Sequence, residues 1–182
     1  FYDYIVNSEQ KKLCNSNKIG KIFILDDFES LEYDLLKQNN CRILGPTCVL
    51  DIFDRCLSLN TFKITGVYSL SLFKAIVVFS GFERERKSEL SRLTKLAHHM
   101  GARVKLEINK SVTHLVACDV NSSLYEDSIG LGIDVVGVDW LYHCWQQRHD
   151  ALFCGTNSEI TSMFRVKPFT GLSIAFYAFK GS

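Results

Sequence analysis

A repeat with a spacing of 92 residues is the feature that most limits what this chain can fold into. IFIL at residues 22–25 recurs as HLVA at residues 114–117. At the same spacing, ILG at residues 43–45 recurs as VVG at residues 135–137. Short apolar runs that return at a fixed spacing indicate successive copies of one structural unit. The chain is therefore expected to contain more than one such unit.

A second spacing, of 97 residues, relates AIVVFSGF at 75–82 to LSIAFYAF at 172–179. Together the two spacings predict the later part of one unit, a complete second unit and the start of a third. The predicted segments are a partial first unit at 1–62 with its opening strand and helix missing or degenerate, a linker at 63–72, the complete second unit at 73–150, a linker at 151–168, and the first strand of a truncated third unit at 169–182.

Strand and helix patterns alternate in the complete second unit. Its strands are predicted at 74–79, 103–108, 112–117 and 133–136, and its helices at 84–99, from Ser122 or Ser123 to about 130–132, and at 138–147. Gly101 ends the first of these helices, and Trp140 lies on the apolar face of the last. Such alternation indicates an α/β fold in which helices cover both faces of a mostly parallel sheet.

The incomplete first unit shows the same pattern from its third strand onward. Strands are predicted at 21–25 and 41–44, and a helix at 28–37. A further helix is predicted to begin at Pro46, directly after Gly45, because proline suits the first position of a helix, where no amide donor is needed.

Charge is unevenly distributed along the second unit, although the net charge of the chain is only +1. Residues 74–110 contain nine Lys or Arg and four Asp or Glu, whereas residues 111–147 contain five acids and no Lys or Arg. We therefore expect a basic side and an acidic side. The neutral total argues against a general nucleic-acid partner. The sequence also lacks an apolar run of eighteen residues, so we expect a soluble protein without a membrane partner.

The residue types that support catalysis or metal binding do not occur in suitable patterns. The seven cysteines include no CxxC pair, which favours a reducing compartment and argues against both disulfides and zinc. No glycine-rich phosphate loop follows any predicted strand, so a nucleotide-dependent enzyme and a bound cofactor are not expected. We interpret His98 and His99 as favourable charges at a helix end, and His114 as a hydrogen-bonded structural residue.

The turn after the first strand, Gly101-Ala102 after the first helix, VTHLVA in the third strand and Trp140 in the last helix together resemble a BRCT domain. FILDDFESLEYDLLKQNNCRILGPTCVL, LTKLAHHMGARVKLEINKSVTHLVA and FRVKPF are more specific. These stretches resemble the N-terminal tandem BRCT region of the Ect/Pebble family of cytokinesis Rho guanine-nucleotide exchange factors. The resemblance extends over residues 20–180.

This resemblance implies a regulatory, non-catalytic region that precedes an exchange domain. Its implied partners are a phosphorylated segment of the RacGAP subunit of centralspindlin and, within the same protein, the exchange domain that it restrains. The implied locations are the nucleus and cytoplasm in interphase, and the spindle midzone and cell cortex during division.

The resemblance also implies a phosphate site made by a hydroxyl, a neighbouring amide and a lysine. Ser80 supplies the hydroxyl and Gly81 the amide, but the expected lysine position, sixteen residues before Trp140, is Leu124. The cations nominated to replace that lysine are Arg84, Arg86 and Lys87.

Two other functions remain open at this stage. One is a scaffold in the DNA-damage response that uses the same fold, and the other is an interaction module that does not read phosphate. Leu124 and the nearby acids favour the phosphate-independent module, whereas ILGPTCVL and HHMGARV favour the exchange-factor family.

Overall fold

The computed structural model describes residues 22–58, 66–82, 86–167, 169–170, 173–175 and 177. In the first unit these form β1 (Ile22–Ile24), α1 (Leu31–Gln38), β2 (Arg42–Leu44) and α2 (Pro46–Asp54). The hydroxyl of Ser30 caps α1 by accepting a hydrogen bond from the Tyr33 amide. Helix α2 begins at Pro46, as predicted.

The second unit contains β3 (Ile76–Ser80), α3 (Lys87–His99), β4 (Arg103–Val104), β5 (His114–Ala117), α4 (Ser123–Gly130), β6 (Asp134–Val136) and α5 (Val138–Gln146). A further short helix, α6 (Ser158–Met163), follows it. The element order agrees with the prediction, except that α6 was not predicted. The predicted strand of a third unit lies largely outside the described residues.

Four strands of the second unit form one parallel sheet, in the order β4-β3-β5-β6. Ser80, the last residue of β3, is paired with Ala117, the last residue of β5. Because parallel strands end at the same edge, the residues that follow β3, β5 and β6 meet there. We call this the carboxyl edge. The basic half of the unit supplies β3 and β4, and the acidic half supplies β5 and β6, so each half of the sequence forms one half of the sheet.

Trp140 lies at the centre of the larger of two cores, between the sheet and helices α3 and α5. Its side chain is fully buried, stacks on His114 with ring centroids 4.7 Å apart, and donates a hydrogen bond from Nε1 to the Gly155 carbonyl at 2.9 Å. His114 also bonds Thr113, which confirms its structural interpretation. The smaller core lies on the α4 face and includes Val78, Leu115 and Val135.

The two units are joined by residues 66–73, most of which are buried, and we call this stretch the junction segment. On one side Val67 pairs with Leu44 at the end of β2. On the other side the amides of Tyr68 and Ser69 donate to the His99 carbonyl at the end of α3. Trp145 of α5 packs edge-on against Tyr68 and so contributes to the contact between units.

Gly45 contacts the junction segment so closely that a side chain cannot be accommodated. An added Cβ would lie 2.4 Å from the Tyr68 carbonyl oxygen and 2.7 Å from its Cα, and both are backbone atoms. We expect Gly45→Ala to lower the free energy of unfolding by about 1–3 kcal/mol, because the chain must shift to relieve the overlap. Chemical denaturation measures this. Gly130→Ala is the control, since an added Cβ there meets nothing within 4 Å, and an equal loss in both variants would contradict the assignment.

Two predictions are wrong in detail. The strand predicted at 103–108 ends at Val104, because β4 is an edge strand whose last ladder bond is from the Lys105 amide to Val77, and Leu106 is 93% exposed. His99 is not a charged helix cap. It is buried, its Nδ1 lies 2.6 Å from the Gly66 carbonyl, and burial lowers the pKa of its imidazole to about 4.

Candidate phosphate-binding site

Two serine hydroxyls meet at the carboxyl edge. The Ser80 Oγ lies 2.5 Å from the Ser122 Oγ, and Ser80 is only 3% exposed. Ser122 is the N-cap of α4, and its Oγ also accepts a hydrogen bond from the Tyr125 amide. The end of β3 and the start of α4 are therefore in contact. Because a serine hydroxyl both donates and accepts, Ser80 can accept a hydrogen bond from Ser122 and still donate one to a bound phosphate.

Gly81 turns the chain directly after Ser80 and is required there for two reasons. Its φ is +82°, which side-chain-bearing residues rarely adopt, and an added Cβ would lie 2.7 Å from the Asp119 Oδ2. The other Asp119 oxygen accepts a hydrogen bond from the Asn121 amide. A carboxylate therefore lies beside the glycine whose amide the resemblance assigns to phosphate.

Leu124 occupies the second position of α4, in the first turn of the helix. It is half-buried and packs against the smaller core. Glu126 lies in the same first turn. The structure thus places an apolar side chain where the resemblance expects a lysine.

The three cations proposed from the sequence to replace the lysine have different surroundings. Arg86 forms two hydrogen bonds with Glu89, at 2.7 and 3.1 Å, and its guanidinium lies 5.3 Å from the centroid of the Phe82 ring. Lys87 is the exposed first residue of α3. Arg84 lies outside the described residues.

A cavity of about 380 Å³, which we call the edge cavity, opens at the same edge of the sheet, although neither serine of the hydroxyl pair lines it. Ala117, Cys118 and Arg86 all line it. The Cys118 amide donates a hydrogen bond to the Ser80 carbonyl. Burial raises the pKa of the Cys118 thiol, so this lining residue is uncharged. The Cys118 thiol is therefore not an activated nucleophile.

Two further cations in this wall, Arg165 and Lys167, were missed by the sequence reasoning. The chain after α6 returns to the sheet, where Arg165 pairs antiparallel with Val136 and bonds Asp134 at 2.9 Å. Lys167 is exposed and forms no ion pair within the described ranges. Neither residue is near Ser80 in sequence, and only FRVKPF, quoted for its resemblance, pointed to this stretch. The edge cavity therefore has three cations and one acid, Asp139, in its wall.

Within the described ranges, no group of three His, Cys, Asp or Glu side chains could hold a metal ion. None of the helices in those ranges has both the length and the apolar character needed to cross a bilayer.

Two family models match the chain in succession. The model described as "ECT2, BRCT0 domain" matches residues 5–68, and the model described as "twin BRCT domain" matches residues 75–140. Together they account for most of the chain, which therefore belongs to the BRCT family as a tandem BRCT region of the ECT2 type. The predicted fold class and the resemblance to the Ect/Pebble family are confirmed.

Curated relatives and solved structures agree with this assignment. The chain is 30% identical to mouse Protein ECT2 over 187 residues, covering 96% of the chain and 20% of the relative, and 29% identical to human Protein ECT2, covering 94% and 18%. It thus spans about a fifth of the length of these relatives. The crystal structure of yeast Rtt107 shares the fold, with a TM-score of 0.50 and 14% identity over 92% of this chain and 35% of that chain.

Proposed function

We propose that this chain is the regulatory BRCT region of a Rho guanine-nucleotide exchange factor, and that it binds a phosphorylated peptide at the carboxyl edge. The observation that carries the proposal is the contact between the Ser80 and Ser122 hydroxyls, at the same edge of the sheet as a cavity with three cations in its wall. A phosphate carries about −1.5 to −2 charges and accepts several hydrogen bonds, so it needs both donors and cations. Ser80, Gly81 and the start of α4 supply the donors.

Arg86, Arg165 and Lys167 take over the electrostatic role of the missing lysine in this proposal. The two arginines are already paired with acids, so Lys167 is the cation that a phosphate engages at least cost. Asp119, beside Gly81, opposes an incoming phosphate and limits its affinity. We therefore expect modest phosphate-dependent binding.

The similarity to the ECT2 relatives supports a biological role for this proposal. The proposed partner is a phosphorylated segment of the RacGAP subunit of centralspindlin, which recruits the exchange factor to the spindle midzone and cell cortex in division. The chain also restrains the exchange domain of its own protein, and in interphase the protein resides in the nucleus and cytoplasm. The chain itself is not an enzyme in this proposal.

A phosphate-independent contact surface is the second candidate function. Asp119 and Leu124 favour it, because one places negative charge and the other apolar surface where phosphate would bind. In that case the same edge would bind a partner without phosphorylation.

Matched peptides distinguish the two. We expect a phosphorylated centralspindlin RacGAP peptide to bind more tightly than its unphosphorylated form, and Ser80→Ala to weaken the phosphorylated form about tenfold by removing one charge-assisted hydrogen bond. Isothermal titration calorimetry measures both. Ser111→Ala is the control, since Ser111 is exposed and precedes β5, at the opposite end of the sheet.

The result that contradicts phosphate reading is equal affinity for the two peptides, unchanged by Ser80→Ala. That result leaves the phosphate-independent surface. Phosphopeptides from chromatin-repair proteins belong in the same series, and a preference for them would favour the DNA-damage scaffold.

A further inference from the structure

A second cavity, of about 330 Å³, lies between the two units on the side of α1 and α3. We call it the inter-unit cavity. Lys37 of α1 and Lys95 of α3 both line it, together with the hydroxyl residues Ser91 and Thr94. No acidic side chain lines it in the part of the chain that the structure describes. Its wall is therefore cationic and rich in hydrogen-bond donors.

The two lysines converge on one aromatic ring. Their Nζ atoms lie 5.8 Å (Lys37) and 5.3 Å (Lys95) from the centroid of Tyr33. Neither ammonium forms an ion pair within the described ranges. Two like charges near one ring repel each other, and an anion between them would relieve that repulsion.

Two buried polar atoms in the same wall lack a partner among the described residues. They are the Tyr33 hydroxyl and the His99 Nε2, in side chains that are 0% and 4% exposed. The His99 Nδ1 carries the hydrogen in the neutral ring, because it faces the Gly66 carbonyl, which can only accept. Buried polar groups are normally hydrogen-bonded, so the unpaired Tyr33 hydroxyl, a donor beside two lysines, points to a missing anionic group, whereas the neutral His99 Nε2 is an acceptor.

We propose that the inter-unit cavity binds an anion of the phosphate type, either free or as a phosphorylated side chain, held by Lys37, Lys95 and the Tyr33 hydroxyl. The site is separate from Ser80 and does not depend on the function proposed for the carboxyl edge. The ammonium groups neutralise the anion, and the tyrosine hydroxyl donates to one of its oxygens. His99 contributes a second donor when its imidazole is protonated.

Burial, with further contributions from Lys95, Lys37 and His98, holds the pKa of His99 near 4 in the absence of an anion. A bound anion cancels part of the positive potential, so the pKa of this imidazole should rise. The rise is a property of the charged site, because a purely structural role for the lysines would not produce it.

The test is an NMR titration of the 182-residue chain with inorganic phosphate, at neutral pH and constant ionic strength. We expect saturable shifts of the Tyr33 and His99 ring signals and a higher pKa for His99. Lys37→Gln with Lys95→Gln should weaken phosphate binding by about tenfold or more, since two charge-assisted contacts are lost. Lys105→Gln with Lys110→Gln is the control, because these exposed lysines lie outside the cavity.

A short phosphoserine peptide forms the second arm and identifies the source of the anion. Displacement of phosphate by this peptide would support a phosphorylated side chain, whereas binding of inorganic phosphate alone would support a free anion. Ser80→Ala should leave both arms unchanged, which separates this site from the carboxyl edge. The proposal is overturned if the variant without Lys37 and Lys95 binds phosphate like the wild type, or if neither probe shifts the two rings.

Discussion

Leu124→Lys should tighten binding of the phosphorylated peptide by about 10- to 100-fold and leave the unphosphorylated peptide nearly unchanged. The new ammonium enters the first turn of α4, two residues after Ser122, whose hydroxyl contacts Ser80. A hydrogen bond to a charged group contributes about 1.5–3 kcal/mol, and each 1.4 kcal/mol is a tenfold change in affinity. Calorimetry with the matched peptide pair measures the effect.

Leu124→Met is the matched control, because it conserves volume and adds no charge. The lysine stem can cover the smaller core while its ammonium extends outward, so the fold should tolerate the change. A cation at a helix N-terminus is unfavourable by about 0.3–1 kcal/mol, so a slightly lower melting temperature is expected. Equal phosphopeptide affinity in the Lys and Met variants would mean that phosphate does not bind beside α4.

Trp140→Ala should lower the free energy of unfolding by about 3–5 kcal/mol, the largest stability change that we expect for this chain. The substitution removes a fully buried indole from the larger core, ends the stacking on His114 and leaves the Gly155 carbonyl without its donor. Urea denaturation followed by circular dichroism measures the loss.

Trp145→Ala removes the same side chain from a partly exposed position and should cost less. Trp140→Phe keeps an aromatic ring but removes the donor to Gly155, and should fall between the wild type and Trp140→Ala. If Trp145→Ala destabilised the chain more than Trp140→Ala, the contact between units would contribute more to the free energy of unfolding than the larger core does.

The central strands and the helix starts could be predicted because each depends on local chemistry. Strands β3 and β5 are fully covered by helices, so they are continuous apolar runs, and Pro46 and Ser122 mark helix starts by their own backbone and side-chain properties. The edge strand β4 was predicted too long, because the alternation of apolar and polar residues continues past Val104, after the chain has stopped pairing with β3.

The approach of Ser80 to the start of α4 is a consequence of the sheet topology, since parallel strands end at one edge. The positions of the cations around the site could not be predicted from the sequence. Arg165 and Lys167 reach the edge cavity only because the chain after α6 returns to β6, and no local pattern indicates that path. His99 was misassigned because its neutral, buried state depends on Gly66 and on α1, which are distant in sequence.

The junction segment determines how a partner can approach this protein. It is bonded to β2 on one side and to the end of α3 on the other, and these bonds restrict rotation of one unit relative to the other. A molecule that touches both units therefore meets a fixed span. We therefore expect the affinity of a partner that binds both units at once to depend on the distance between its two points of attachment.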